Sequence, residues 1–198
     1  MKITAIKQAV KTPGRFNVSV DGKYSFSLDE LQVINTGIKT GNEYSESELE
    51  KLKDESAFGK AYARALDYIM RRPRSEKEMR DYAWRKKWEP AMAGRVMNQL
   101  RDKGYLNDQK FAEFWIRNRA LGKPMSVKKL RLELMQKGVS GEIIENALSK
   151  DEEFDEQTAL KRMIEKKRGR YDDEQKLIAY LLRQGFRYDD IKEVLSSL

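Results

Sequence analysis

Cysteine and histidine are both absent from this sequence of 198 residues. Without cysteine the chain has neither disulfides nor thiolate zinc sites, which fits a reducing compartment such as the cytoplasm. Without histidine it lacks the commonest general base and the imidazole metal ligand. We therefore expect a non-enzymatic protein that needs no cofactor and no metal ion.

Long apolar runs are missing as well. No stretch of 18 apolar residues offers a membrane span, and residues 1–6 (MKITAI) lack the apolar core of a secretory signal. Charged residues make up 36% of the chain and apolar residues 39%. This composition predicts a cytoplasmic monomer with no membrane contact, built from small modules with thin cores.

Positive charge is concentrated in the middle of the chain. The net charge is −1 over residues 1–56, +7 over 57–104, +4 over 105–150 and −2 over 151–198. A localised basic zone is typical of proteins that bind nucleic acid or an acidic protein surface.

The first 44 residues are predicted to be rich in β-structure. Residues 15–20 and 23–28 alternate apolar and polar side chains, and the Asp21-Gly22 pair between them favours a type I′ hairpin turn. Residues 2–10 form another predicted strand, and a short helix near residues 28–35 should end at Gly37. The side chains expected on the matching faces of the hairpin are Phe16, Val18, Val20, Tyr24, Phe26 and Leu28.

From Ser45 onward the apolar period is helical, and Glu48 completes a capping box. The pattern predicts a connecting helix over residues 46–56 and a separate amphipathic helix over residues 57–70. Further on, Asn107 should cap a helix that directs Phe111, Phe114, Trp115 and Asn118 inward.

The remaining helices repeat in groups of three. Advancing Ser75 by 51 residues gives Ser126, and a further 47 gives Asp173; each is a predicted helix cap followed by equivalent core positions. The turn positions of this register are Lys87, Gly138 and Gly185. Three-helix units of this size depend on their neighbours for stability.

The predicted fold class is therefore mainly α. Three tandem three-helix repeats form an elongated curved array, preceded by a small N-terminal domain that contains the β-hairpin. The predicted domains are residues 1–56, 57–104, 105–150 and 151–198.

The ordered motifs of residues 57–198 resemble the RecX family, the regulators of the bacterial RecA recombinase. The matching positions are residues 72–79 (RPRSEKEM), 100–108 (LRDKGYLND), 111–112 (FA), Arg117, Arg119, Leu130, Leu134 and 137–139 (KGV). The chain departs from the family at residues 82–88 (YAWRKKW), where Lys87 stands in place of the expected glycine and puts that turn in question.

The resemblance implies a curved array that lies in the helical groove of the RecA–single-stranded DNA filament. It also implies that the protein limits ATP hydrolysis, strand exchange and coprotease activity without chemistry of its own, within DNA repair and the SOS response.

The basic zone supplies the candidate site, because guanidinium and ammonium groups suit an acidic groove or the DNA within it. Trp84 lies off the apolar stripe of its helix, so it can stack on a base, fill a partner's pocket or pack between modules. The candidate partner- or DNA-binding residues are Arg71, Arg72, Arg74, Arg80, Trp84, Arg85, Lys86, Lys87, Arg117, Arg119, Lys123, Lys128, Lys129 and Arg131.

Two other interpretations remain at this point. The chain could bind single- or double-stranded DNA directly, since three-helix units also build helix-turn-helix readers, and Arg95, Asn98 and Gln99 lie on a third helix. It could also be a helical scaffold for a different partner. The acidic runs at residues 172–174 and 189–190 are predicted to cap helices rather than to bind metal.

Overall fold

A computed structural model describes residues 1–151, 154–171 and 173–197. The secondary-structure elements, numbered in chain order, are β1 (Ile3–Gln8), β2 (Arg15–Val20), β3 (Lys23–Asp29), α1 (Glu30–Thr36), α2 (Glu46–Met70), α3 (Glu76–Arg85), α4 (Pro90–Asp102), α5 (Asp108–Leu121), α6 (Val127–Gln136), α7 (Gly141–Lys150), α8 (Glu156–Arg168), α9 (Glu174–Arg183) and α10 (Tyr188–Ser196). The fold is mainly helical, with an antiparallel three-stranded sheet at the N-terminus.

The predicted hairpin is confirmed. Asp21 and Gly22 have φ angles of 47° and 81°, as a type I′ turn requires. Val18 pairs with Phe26, and both are buried in the core of the sheet. The prediction for Tyr24 was wrong: a register shift after Val18 places Tyr24 opposite Ser19, and its side chain is 61% exposed.

The two helices predicted over residues 46–56 and 57–70 are one continuous helix, α2. Neither proline nor a capping residue interrupts it, and its inner face is anchored to the sheet domain. The buried Ser56 hydroxyl donates a 2.6 Å hydrogen bond to the Ser27 carbonyl. Gly59 leaves space for the amide of Gln32, which a Cβ atom would overlap. The predicted domain boundary after residue 56 therefore falls inside a helix.

The described chain divides into two compact units. One contains Met1–Arg72 and Trp88–Leu100, and the other contains Pro73–Lys87 and Arg101–Leu198. The first includes the sheet, α1, α2 and most of α4; the second includes α3 and α5–α10. The boundaries at residues 104 and 150 stay predictions.

In the second repeat, α5 packs mainly against α7. Phe111, Ala112 and Ile116 are buried in that core, and Trp115 packs against its edge. The expectation that Phe114 and Asn118 face inward was wrong, because both are exposed. Ala112 and Ile116 thus lie on the inner face of α5.

The repeat register is confirmed by its caps and turns. Ser75, Ser126 and Asp173 each accept a hydrogen bond from an amide in the first turn of α3, α6 and α9, which are the second helices of the three repeats. The turn residues that follow have left-handed φ angles: 55° at Lys87, 81° at Gly138 and 94° at Gly185. Lys87 thus adopts the conformation that its family position requires.

Candidate functional site

Helix α3 carries the densest part of the predicted basic set. Its N-cap Ser75 forms a capping box with Glu78, and this start places Met79 and Ala83 in the core. The opposite face then carries Trp84, which is 80% exposed. A ring exposed to this degree is accessible to a base or to a partner's pocket.

The C-terminal end of α3 presents free positive charge. Arg85 and Lys87 are exposed and make no ion pair with any other described residue. The Lys86 ammonium lies 5.5 Å from the centre of the Tyr82 ring, which leaves its charge accessible. Arg80 lies one turn earlier, and its guanidinium is paired with Glu76 at 3.3 Å.

The N-terminus of α3 meets the C-terminus of α6. The Ser75 hydroxyl, fully buried, donates a 2.7 Å hydrogen bond to the Lys137 carbonyl. The same contact recurs one repeat later, where the buried Ser126 hydroxyl donates to the Gln184 carbonyl at 2.7 Å. We call each of these contacts, with its surrounding polar pairs, a joint.

A second hydrogen bond is repeated in both joints. The Glu76 amide donates to Asp108 Oδ1 at 2.8 Å, and the Val127 amide donates to Glu156 Oε1 at 2.8 Å. Burial raises the pKa of Asp108 above its ordinary value, despite the amide hydrogen bond that favours its ionised form. Each joint thus satisfies a helix N-terminus with the first residue of the first helix in the next repeat, Asp108 of α5 or Glu156 of α8.

Lys129, one of the candidate binding residues, belongs to a joint. Its ammonium donates to Gln184 Oε1 at 2.8 Å. The equivalent pair in the other joint is Glu78 with Lys137, at 2.7 Å between Oε1 and Nζ. The positions correspond in the repeat register, although the charges differ.

Arg119 and Arg131 are also held by carboxylates. Arg119 Nε is 2.9 Å from Glu133 Oε2, and its guanidinium lies 4.8 Å from the Trp115 ring centre. Arg131 makes two 2.7 Å hydrogen bonds to Glu145, which raise the pKa of Arg131 and lower that of Glu145. These two arginines stabilise the second repeat.

The remaining predicted residues lie in different places. Arg71 ends α2, and its guanidinium is 2.9 Å from Asp67. Arg72 belongs to the unit that contains the sheet, whereas Arg74 belongs to the other; both side chains are partly buried. The remaining candidates of the second repeat, Arg117, Lys123 and Lys128, are exposed. Among the candidates, Arg85, Lys86 and Lys87 are consecutive and exposed at the end of α3.

Sequence reasoning missed two exposed apolar side chains. Met135 on α6 is 60% exposed and Leu182 on α9 is 44% exposed. Both occupy the register position of Trp84, one residue after a buried side chain. Extending the repeat alignment by one position beyond the core residues would have found them.

The DNA-reading interpretation depends on Arg95, Asn98 and Gln99 of α4. In the structure the Arg95 guanidinium pairs with Glu55 and lies 3.9 Å from the centre of the Phe58 ring. Both contacts hold Arg95 against α2, whereas a base-reading arginine would extend into the major groove.

The acidic runs have the predicted position at helix starts. Asp173 accepts from the Gln175 amide, and Asp189 and Asp190 lie in the first turn of α10; Asp172 falls outside the described residues. Within residues 1–151, 154–171 and 173–197, no three acidic side chains converge to form a metal site. No helix in the described part of the chain is long and apolar enough to cross a bilayer.

A sheet domain followed by three-helix repeats, with second helices that meet end to end, defines a helical repeat protein with an added β domain. Four family models match this chain in the same order. They describe the N-terminal domain of the regulatory protein RecX at residues 1–45 and its first, second and third three-helix domains at residues 61–100, 107–148 and 155–195.

Curated relatives carry the same description. The regulatory protein RecX of Bacillus subtilis is 30% identical over 99% of this chain and 76% of its own length, and that of Bacillus velezensis is 32% identical over 98% and 76%. The Listeria welshimeri protein is 32% identical over 81% of this chain, a match that spans 58% of that relative. The chain belongs to the RecX family.

Two solved structures have the same fold. A crystal structure of a regulatory protein RecX gives a TM-score of 0.80 at 25% identity and covers 98% of both chains. The RecX of Lactobacillus salivarius gives 0.61 at 28% identity and covers 71% of this chain and 96% of its own.

Proposed function

We propose that this protein regulates the RecA recombinase by binding the RecA–single-stranded DNA filament, and that it does so without catalysis. Relatives named as regulatory proteins support a regulatory role. The observation that carries the proposal is the C-terminal end of α3, where an exposed tryptophan lies beside accessible cations. Cations that no internal carboxylate neutralises are available to an acidic partner.

The joints support the same function. They hold α3 and α6 at a repeated, hydrogen-bonded contact, so the exposed faces of successive repeats keep a constant relation. A partner that itself repeats, as a filament does, can engage such an array at several points at once. Multiple engagement raises the overall affinity without stronger individual contacts.

The first test is single-stranded-DNA-dependent ATP hydrolysis by RecA from the same organism, with this protein titrated in. Inhibition well below one copy per RecA subunit indicates action at filament ends or on filament growth. Inhibition only near saturation indicates coating of the groove. No effect, together with salt-sensitive binding to duplex DNA, would instead support a direct DNA-binding protein.

A charge-reversal variant connects this activity to α3. Changing Arg85, Lys86 and Lys87 together to Glu should weaken inhibition at least about tenfold, since three accessible attractive charges become repulsive. The matched control reverses the exposed residues Lys161, Lys166 and Arg168 of α8, with the same change in net charge. Equal losses in both variants would show that net charge alone matters and would remove α3 from the mechanism.

A further inference from the structure

We propose that the second helices carry a repeated apolar docking row for successive subunits of a repeating protein partner with acid-rimmed apolar patches. The row consists of Trp84, Met135 and Leu182, which are 80%, 60% and 44% exposed. This inference rests on the proposed function. It specifies that the protein binds the filament by protein–protein contact, with one apolar side chain of each repeat inserted into the partner.

The three row residues occupy one register position. Each directly follows a buried core residue of its helix, namely Ala83, Leu134 and Leu181, and each lies in the last turn. Because the repeats share the same core and caps, the same register position points in the same direction relative to each repeat. The exposure of a large apolar side chain at all three is therefore a feature of the repeat unit.

The joints hold two of these residues next to the preceding repeat. The C-terminus of α6, with Met135, meets the N-terminus of α3; the C-terminus of α9, with Leu182, meets the N-terminus of α6. The row thus passes through both joints. Single scattered apolar side chains on a surface need no explanation, but large ones at the same position of three successive repeats indicate a repeated interaction site.

A lysine accompanies each row residue. Lys77 extends over the end of α6 and donates to the Gln136 carbonyl at 2.9 Å, beside Met135. Lys128 packs over Gly185, at the end of the helix that carries Leu182. Lys86 and Lys87 follow Trp84 directly. An apolar anchor rimmed by ammonium groups complements an apolar patch rimmed by carboxylates.

The chemistry of the row favours a protein over a nucleic acid. Only Trp84 has a ring that can stack on a base, so Met135 and Leu182 would contribute little to DNA binding. Methionine and leucine instead fill apolar pockets on a protein surface, and methionine adapts to irregular ones. The nearby Arg80 and Arg131 already pair with Glu76 and Glu145, which reduces their attraction for phosphate.

The experiment measures binding to RecA filaments that are assembled on labelled single-stranded DNA with a non-hydrolysable ATP analogue, and to the same DNA without RecA. The variants are Trp84→Ala, Met135→Ala and Leu182→Ala, singly and combined. A control triple, Leu31→Ala, Ile34→Ala and Leu121→Ala, removes exposed apolar side chains outside the row. Circular dichroism checks that each variant stays folded. If the triple variant does not fold, the comparison is made with the three single variants.

We expect the variant with all three row residues changed to alanine to bind filaments at least about 30-fold more weakly than the wild type. The fold-losses of the three single variants should multiply to about the same value. The control triple variant should change the affinity less than about threefold. Binding to bare DNA should stay unchanged. Wild-type affinity in the row triple would overturn the row and leave the proposed function intact. A loss confined to Trp84→Ala and matched on bare DNA would overturn it in favour of base stacking. Failure of the wild type to bind filaments would overturn the proposed function itself, and the row with it.

Discussion

The turn after the second helix has one backbone conformation in all three repeats but not one residue type. Lys87 makes it in the first repeat, whereas Gly138 and Gly185 make it in the second and third. A left-handed φ costs an ordinary L-residue roughly 1–2 kcal/mol, which a folded protein can tolerate at a single position. Conformation alone therefore does not explain why two of the three turns use glycine.

Space explains the difference. A Cβ atom on Gly138 would lie 2.6 Å from the Lys77 Cβ, and one on Gly185 would lie 2.7 Å from the Ser126 hydroxyl oxygen. Both glycines lie where the preceding repeat packs in a joint. Lys87 is exposed, so its side chain meets no such obstacle. The comparison teaches that glycine is required by the joint rather than by the turn.

The largest effect should come from Gly138→Ala. The added methyl meets a side-chain atom next to the α3 backbone, so the helix itself must shift, and the left-handed conformation adds its own cost. We expect a loss of about 3 kcal/mol in the free energy of unfolding, and somewhat less for Gly185→Ala, measured by urea denaturation.

The control for this pair is Gly104→Ala. Gly104 has a φ angle of 72°, but a Cβ atom added there would meet nothing within 4 Å, so only the conformational cost applies. We expect a loss of roughly 1–2 kcal/mol. An equal loss in all three variants would contradict the spatial argument.

The joint hydroxyls should give the next largest effect. Ser75→Ala or Ser126→Ala removes both a helix cap and the donor to a carbonyl at the buried joint. We expect each variant to lose about 2–3 kcal/mol, measured by thermal or urea unfolding.

The variant Ser140→Ala measures the contribution of a helix cap alone, without that of a joint hydrogen bond. Ser140 is exposed and caps α7 through the Ile143 amide. Its replacement by alanine should lower the free energy of unfolding by about 1 kcal/mol. If Ser75→Ala costs no more than this, the hydrogen bond to Lys137 contributes nothing measurable to stability.

The smallest effect is expected for Lys87→Gly. Glycine relieves the strain of the left-handed conformation but increases the entropy of the unfolded chain. The free energy of unfolding should therefore rise, by less than about 1 kcal/mol. Under the proposed function, inhibition of RecA should weaken slightly, since one accessible charge is lost. A clear loss of stability would mean that the Lys87 side chain has a packing role.

Local rules predicted most of the fold. The Asp21-Gly22 turn, the capping boxes at Ser45 and Ser75 and the repeat register depend on residues close together in sequence, and all are present in the structure. The errors arose where contacts between residues far apart in the sequence determine the structure. The sheet domain packs on one face of α2 and so supports a continuous helix. The core of the second repeat buries Ala112 and Ile116 of α5, whereas Phe114 and Asn118 are exposed.

The candidate site was harder to predict, because charge in a sequence does not reveal its partner. Arg119 and Arg131 resembled free cations until Glu133 and Glu145 were found beside them. Lys129 proved to be a joint residue. The exposure of Trp84 agreed with its position off the apolar stripe, but the related exposure of Met135 became visible only when the structure was combined with the repeat register.

The joints also change the electrostatic environment of α6. Its first turn, residues 127–130, carries Lys128 and Lys129, and its last turn carries Glu133, which is the reverse of the charge order that a helix dipole favours. The carbonyl end of α9 lies against its positive end, and the amide end of α3 lies against its negative end. The neighbouring repeats thus supply the countercharge, through these helix ends and through the Glu156 carboxylate at the Val127 amide and the Lys77 ammonium at the Gln136 carbonyl. The middle helix is free to display lysines at its N-terminus, and it depends for its stability on the repeats at both of its ends.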